Sequence, residues 1–284
     1  MNVSPVPAGR AVELAGRGTT WVRETGTGHP GPPLVLLHGW TVTADLNWSA
    51  AYETLGRHHR VIAIDLRGHG RGIRSAARFR LEDCAADVAA LADALDLGPI
   101  VPVGYSMGGL IAQLLWRDHR DQVAGLVLAS TARNFKGGPG DRLYFAGLSG
   151  LATATRLAPE VVRQQLFERY LGSRLDDIAL GEWAAEELGR SDLLALTEAG
   201  AAIGNFASHD WIGGVDVPTA VVVTEDDTTV PTQRQHKLAA AISRAVTFSV
   251  AGDHHAVARE PLRYVPVLLD ACDYVVGRSA EAPP

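Results

Sequence analysis

Ile100-Val101-Pro102-Val103-Gly104-Tyr105-Ser106-Met107-Gly108-Gly109 is the stretch from which the rest of the chain is read. A short apolar run passes into Gly-x-Ser-x-Gly and then into Met107–His119, which can form a helix. A serine on a sharp strand-to-helix turn presents its hydroxyl to a base on one side and a carbonyl on the other. The strand and helix can approach that closely only if the flanking residues are small. The amino end of the following helix favours negative charge there. Serine is a poor nucleophile unaided, so it requires a base, and the base requires a carboxylate. Working outward, Glu225-Asp226-Asp227 follows the apolar run Val217–Thr224, and His254-His255 follows Val246–Val250. Nucleophile, acid and base thus occur in that chain order, each just past an expected strand.

The runs Leu34–Leu37, Val61–Ile64, Ile100–Val103, Val123–Ala129, Val217–Thr224 and Val246–Val250 alternate with helical stretches. That alternation predicts an α/β protein with a mostly parallel sheet covered by helices on both faces. Ala11–Ala15 and Thr19–Glu24 read as a preceding hairpin, and residues 1–10 as loose. Glu82–Leu97 reads as a helix, with Cys84, Val88, Leu91 and Leu95 on one face and Gly98-Pro99 as its stop. Pro231–Ser243 and Pro261–Val276 supply later helices. The stretch 134–213 breaks the rhythm: it holds helical patterns, no convincing strand, and is too long for an idle loop. The expected organisation is a core of 1–133 and 214–284 with a helical lid, 134–213, inserted over the carboxyl ends of the strands.

Composition narrows the function classes. The chain has 284 residues, 46% hydrophobic and 20% charged, ordinary for a globular protein. A net charge of −6 disfavours a nucleic-acid partner. Cys84 and Cys272 are the two cysteines, too few for a disulfide framework, which suits a reducing compartment. No apolar run is long enough for stable membrane insertion, and Met1–Arg10 lacks the apolar region of a signal peptide. A cytoplasmic location is the expectation. No metal-ligand spacing, phosphate loop or dinucleotide fingerprint occurs, so neither metal nor cofactor is expected.

With these residues in view, the chain resembles the α/β-hydrolase superfamily, in its lidded, serine esterase-like branch. The resemblance rests on Leu34-Val35-Leu36-Leu37-His38-Gly39-Trp40, Asp65-Leu66-Arg67-Gly68-His69-Gly70, Gly104–Gly109, Asp227 to Pro231 and His255 to Pro261. It spans most of the chain except the lid. It implies Ser106 as nucleophile, where relatives that open epoxides or cleave carbon–halogen bonds carry aspartate. It also implies an oxyanion hole from the backbone N–H groups of Trp40 and Met107.

The base and acid follow from spacing within that pattern. Ten histidines compete. The family places an acidic residue five positions after the catalytic histidine and a proline soon after. His255, Glu260 and Pro261 match, so His255 is preferred to His254. The acid sits four residues before the proline that opens the next helix. Asp227 and Pro231 match, with Asp226 as runner-up, and Ala129-Ser130-Thr131-Ala132 offers no carboxylate one strand earlier.

Leu143–Ala158 is apolar apart from Arg156 and a few small polar residues. Leu143, Phe145, Leu148 and Leu151, together with Tyr105, are candidates to line a substrate pocket; equally, the leucines and Phe145 could simply hold the lid to the body. The expected activity is cofactor-independent cleavage of a carboxylic ester through an acyl-enzyme. The partner would be a small-molecule ester with an apolar acyl or alcohol part. Acyl transfer, perhydrolysis, C–C hydrolysis, and thioester or amide cleavage use the same parts and stay open. So does a ligand-binding or receptor-like role on the same scaffold.

Overall fold

Among the described residues, eight strands form one sheet in the order β1-β2-β4-β3-β5-β6-β7-β8. The computed structural model describes residues 6–177 and 181–281. Residues 1–5 of the start expected to be loose, and 178–180 of the expected insertion, lie outside the described residues. The strands are β1 (Gly9–Leu14), β2 (Gly18–Thr25), β3 (Leu34–Leu37), β4 (Val61–Ile64), β5 (Val101–Tyr105), β6 (Leu126–Ala129), β7 (Thr219–Thr224) and β8 (Ala245–Val250). β1, β2 and β4 pair antiparallel, and every later pairing is parallel. All residues of β3 to β7 are buried, as expected for parallel strands covered on both faces.

The helices are α1 (Ala44–Trp48), α2 (Tyr52–Gly56), α3 (Leu81–Ala94), α4 (Met107–Asp118), α5 (Pro139–Leu157), α6 (Glu160–Asp177), α7 (Gly181–Gly189), α8 (Leu193–Asn205), α9 (Thr232–Ala239), α10 (Ala256–Arg259) and α11 (Pro261–Glu281). One apolar cluster packs α3, α4 and α8 against one sheet face, including Val88, Leu91, Leu110 and Ile203. A second packs α1, α2 and α11 against the other, including Trp48, Leu55, Tyr264 and Leu268. Cys84 and Cys272 are buried free thiols, one in each cluster. The sequence reading missed α1 and α2. Each has five residues, too few to display a helical period, and Thr43 fixes the start of α1 by accepting the Leu46 N–H. No helix among the described residues is long and apolar enough to cross a membrane.

Helices α5 to α8 fill the chain between β6 and β7. Among their contacts, one ties them to the body and a second packs them on one another. Glu187 of α7, itself buried, accepts from Arg71 Nη2 at 2.9 Å and pairs with Arg190. Breaking one partner of such a buried pair leaves an uncompensated charge, so the contact fixes position whatever its net stability. The second is the crossing of α5 and α8. A β-carbon on Gly204 would meet the Phe145 ring at 2.4 Å, and one on Gly200 would meet Trp40 at 2.6 Å and Leu148 at 3.1 Å. The Gly200-Ala201-Ala202-Ile203-Gly204 face is what lets α5 seat there. Gly204→Val is therefore expected to overpack the crossing and cost about 1–3 kcal/mol. Calorimetry should read this as a lowered melting midpoint, and an unchanged midpoint would refute the packing account.

Candidate active site

Ser106 stands at the tip of β5, at φ +52°, where an L-residue is strained. The surrounding backbone leaves it no alternative. A β-carbon on Gly108 would lie 2.1 Å from the Leu37 carbonyl oxygen, and one on Gly104 would lie 2.4 Å from that of Gly108. Strand and helix therefore touch at glycine, and the residue between absorbs the turn. The Ser106 N–H is held by the Ala129 carbonyl at 2.9 Å, and its carbonyl accepts from Thr131 Oγ1 at 2.8 Å.

The imidazole in contact with Ser106 is that of His254. Ser106 Oγ lies 3.0 Å from His254 Nε2, and His254 Nδ1 lies 2.7 Å from Asp227 Oδ2. With Nδ1 protonated, His254 donates to Asp227 and Nε2 is free to accept the serine proton. The expectation of His255 is corrected: its side chain is exposed and stands off this line. Asp253 accepts the His255 N–H through Oδ1 at 2.7 Å, an Asx turn that begins α10. The turn carries residue 255 outward and leaves residue 254 facing the sheet. The phenol of Tyr105 donates to the His254 carbonyl oxygen, fixing the same turn from below. Tyr105 is buried against Trp48 and Tyr264, so it supports the base and does not line a pocket, another correction. Burial pushes its phenol well above its ordinary range.

Asp227 is buried and takes the expected place opposite the imidazole, while Asp226 is exposed. Asp227 Oδ1 accepts the N–H groups of Thr229 at 2.9 Å and Val230 at 2.8 Å. Oδ2 accepts from His254, from Thr224 Oγ1 at 2.9 Å and from Gln235 Nε2 at 3.0 Å. Thr224 and Gln235 were not singled out in the sequence. Polar residues of their type at a strand end and on a helix carry no local signal; only the fold brings them to the carboxylate.

Met107 opens α4, so its N–H has no intrahelical acceptor. Gly39 lies beside Ser106 and spends its own N–H on Asn47 Oδ1 at 3.0 Å, leaving the Trp40 N–H next in line. Thr41, at φ +65°, turns that loop sharply. Among the described residues no acceptor takes the Trp40 N–H. The Trp40 indole donates to the Leu196 carbonyl on α8 at 2.8 Å and its ring packs against Gly200.

The remaining pocket candidates divide. Leu143 is 77% exposed and Leu151 48%, so both face solvent on the outside of α5 and neither lines a pocket. A helical face set toward the body must alternate with one set away, and these two fall on the latter. Phe145 is buried in the crossing with Gly204, and Leu148 alone of the four points to the Trp40 contact. Arg156 pairs with buried Glu198 at 2.5 Å. No cluster of metal-ligating side chains occurs among the described residues.

His38 and His69 lie close to this site without joining it. His38 Nδ1 faces the Gly39 carbonyl at 2.7 Å and Nε2 accepts the Leu66 N–H at 3.0 Å. Burial pushes His38 down to about 4 and His69 to about 3. Both are neutral at pH 7; His38 shapes the loop that carries Trp40, and His69 packs beside the His38 ring.

A family model described as "alpha/beta hydrolase fold" matches residues 32–173. A non-heme chloroperoxidase of Streptomyces lividans is 42% identical over 102 residues, covering 35% of this chain and 37% of that protein. A pimeloyl-[acyl-carrier protein] methyl ester esterase of Sodalis glossinidius is 39% identical over 111 residues, covering 39% of this chain and 40% of that protein. The chain thus spans about two fifths of the length of these curated relatives. Among solved structures, a hydrolase from Pseudomonas aeruginosa superposes with a TM-score of 0.77 at 23% identity, over 93% of this chain and 98% of that one. A thermophilic esterase from Thermogutta terrifontis gives 0.74 at 23% identity, over 95% and 99%. These structural likenesses speak to the fold.

Two measurements test this geometry. His254→Ala should lower Ser106-dependent turnover by about 10³-fold or more, and His255→Ala by less than about tenfold. The reverse ranking would restore the role to His255. Separately, unfolded histidines titrate near 6.5, whereas His38 and His69 resist protonation in the fold down to about 4 and 3. The unfolded state therefore binds more protons as pH drops below 6.5, and stability is lost across that window. The melting midpoint should fall between pH 7 and 5, before most carboxylates titrate; a level midpoint would contradict this.

Proposed function

The chain belongs to the α/β-hydrolase fold family, and on that premise we propose that it is a cofactor-independent serine hydrolase of carboxylic esters. The observation that carries the reading is the unbroken line Ser106 Oγ, His254 Nε2, His254 Nδ1, Asp227 Oδ2, with both links at hydrogen-bond distance. Similarity to the Sodalis methyl ester esterase supports an ester as the substrate class.

In this reading Ser106 Oγ attacks the ester carbonyl while His254 Nε2 takes its proton. The Met107 and Trp40 N–H groups receive the oxyanion, each such donor being worth roughly 3–4 kcal/mol. Asp227 holds the imidazole in its tautomer and stabilises the imidazolium. His254 then gives its proton to the leaving alcohol, and an acyl-Ser106 remains. Water, deprotonated by His254, attacks the acyl carbon; the acid leaves and Ser106 is regenerated. The insertion α5–α8 acts as the lid, with the substrate a small ester whose apolar part meets Leu148 and Trp40. Perhydrolysis is the second reading, favoured by the likeness to the Streptomyces chloroperoxidase: the same acyl-enzyme would pass to hydrogen peroxide in place of water.

A fluorophosphonate probe tests the nucleophile directly. Intact-mass measurement should show one adduct, lost in Ser106→Ala, and aryl-ester turnover should fall by several orders of magnitude in that variant. Residual activity within about tenfold, or 1.4 kcal/mol of barrier, would sink the assignment. Acyl-chain length tests the lid. Leu148→Trp should move the kcat/KM optimum of an aryl-ester series to shorter acyl groups, while Leu151→Trp should leave it in place. Equal effects from both would break the link between Leu148 and substrate.

A further inference from the structure

Asp227 receives more hydrogen bonds than orientation requires. Its Oδ1 is already fixed by two backbone N–H groups, from Thr229 and Val230. Two further donors converge on Oδ2, the oxygen facing His254: Thr224 Oγ1 at 2.9 Å and Gln235 Nε2 at 3.0 Å. Gln235 is fully buried on α9. Its Oε1 accepts the Thr224 N–H at 3.1 Å, which sets the amide so that Nε2 faces the Val230 carbonyl at 2.8 Å, Thr224 Oγ1 at 3.0 Å and Asp227 Oδ2. Ser130 Oγ, 3.3 Å from Thr224 Oγ1, completes the group. Burying an amide and a hydroxyl is costly unless their bonds are made, and α9 could pack on β7 with an apolar residue instead. Here the polar pair meets the one oxygen that must also accept the hydrogen bond from His254 Nδ1.

We infer that Thr224 and Gln235 are positioning residues that hold Asp227 Oδ2 and moderate its basicity toward His254. This rests on the hydrolase reading above. A carboxylate oxygen that shares its charge with two extra donors binds the His254 Nδ1–H less strongly than a bare one. The imidazolium formed during attack is held firmly enough to form and weakly enough to return its proton to the leaving group. Removing one donor strengthens the carboxylate as a partner for imidazolium, so His254 stays protonated to higher pH. Other titratable groups around the pair are Tyr105 on β5 and Asp253 and His255 on the base's own loop, with Tyr264 on α11 behind Tyr105. None of them is altered by the change.

The test uses the full chain and p-nitrophenyl acetate. Thr224→Val keeps shape and removes the hydroxyl. The expected result is a kcat several-fold lower, an unchanged KM, and an acid limb of the kcat/KM profile moved upward by about half a pH unit. Thr224→Ser, which restores the donor, should return the limb to its wild-type position. A Thr224→Val protein with the wild-type profile would overturn the inference, as would a loss of kcat with no movement of the limb. If Thr224→Val does not fold, the wild-type protein still decides. The Gln235 side-chain amide resonances should shift with pH through the inflection seen in activity, and amide resonances that do not respond overturn the proposal. Absence of Ser106-dependent turnover in wild type would instead defeat the hydrolase reading, and the amide titration would still report on the contact.

Discussion

The contact between Gly108 and the Leu37 carbonyl is the constraint from which the rest follows. No β-carbon fits in that gap. Because α4 is pressed onto β3 there and onto β5 at Gly104, Ser106 must take a left-handed backbone, its side chain must leave the sheet, and the first N–H of α4 must point across the same opening. The carboxyl ends of β7 and β8 lie on the same side, so the loops carrying Asp227 and His254 arrive where the serine emerges. Strain at one residue is thus the price of bringing three distant segments to one point.

Much of this was legible from residue types. The apolar runs marked the parallel strands because a strand buried on both faces has no room for polar residues, and the glycines marked the elbow because nothing larger fits. Ser106 and Asp227 followed. The choice between His254 and His255 failed for a physical reason. Both follow the same strand, and the spacing to Glu260 and Pro261 describes where a helix begins, not which way a preceding side chain turns. The turn is decided by the Asp253 carboxylate on the His255 N–H and by the Tyr105 phenol on the His254 carbonyl. The first was within reach of sequence reading as an aspartate three residues before a helix start; the second is a contact across 149 residues.

The outer apolar side chains of α5 misled in a related way. An apolar helix in an inserted segment suggests a pocket, yet α5 has two faces. Phe145 and Leu148 turn toward Gly204 and Gly200, while Leu143 and Leu151 turn to solvent. Pattern alone cannot say which face meets the body, because the partner helix α8 offers its groove through glycines, and glycines contribute nothing to an apolar count. Thr224 and Gln235 were invisible for the opposite reason: their meaning lies wholly in an oxygen supplied from elsewhere.

The indole of Trp40 ends on the Leu196 carbonyl, and its own backbone begins the loop beside Ser106. One residue therefore joins α8 of the insertion to the loop beside Ser106. Under the proposed mechanism, redesigning the insertion for a bulkier guest would pull on the same residue whose N–H receives the oxyanion. Selectivity and speed in this protein would then be inherited together, and a lineage altering one would have to repair the other at Trp40.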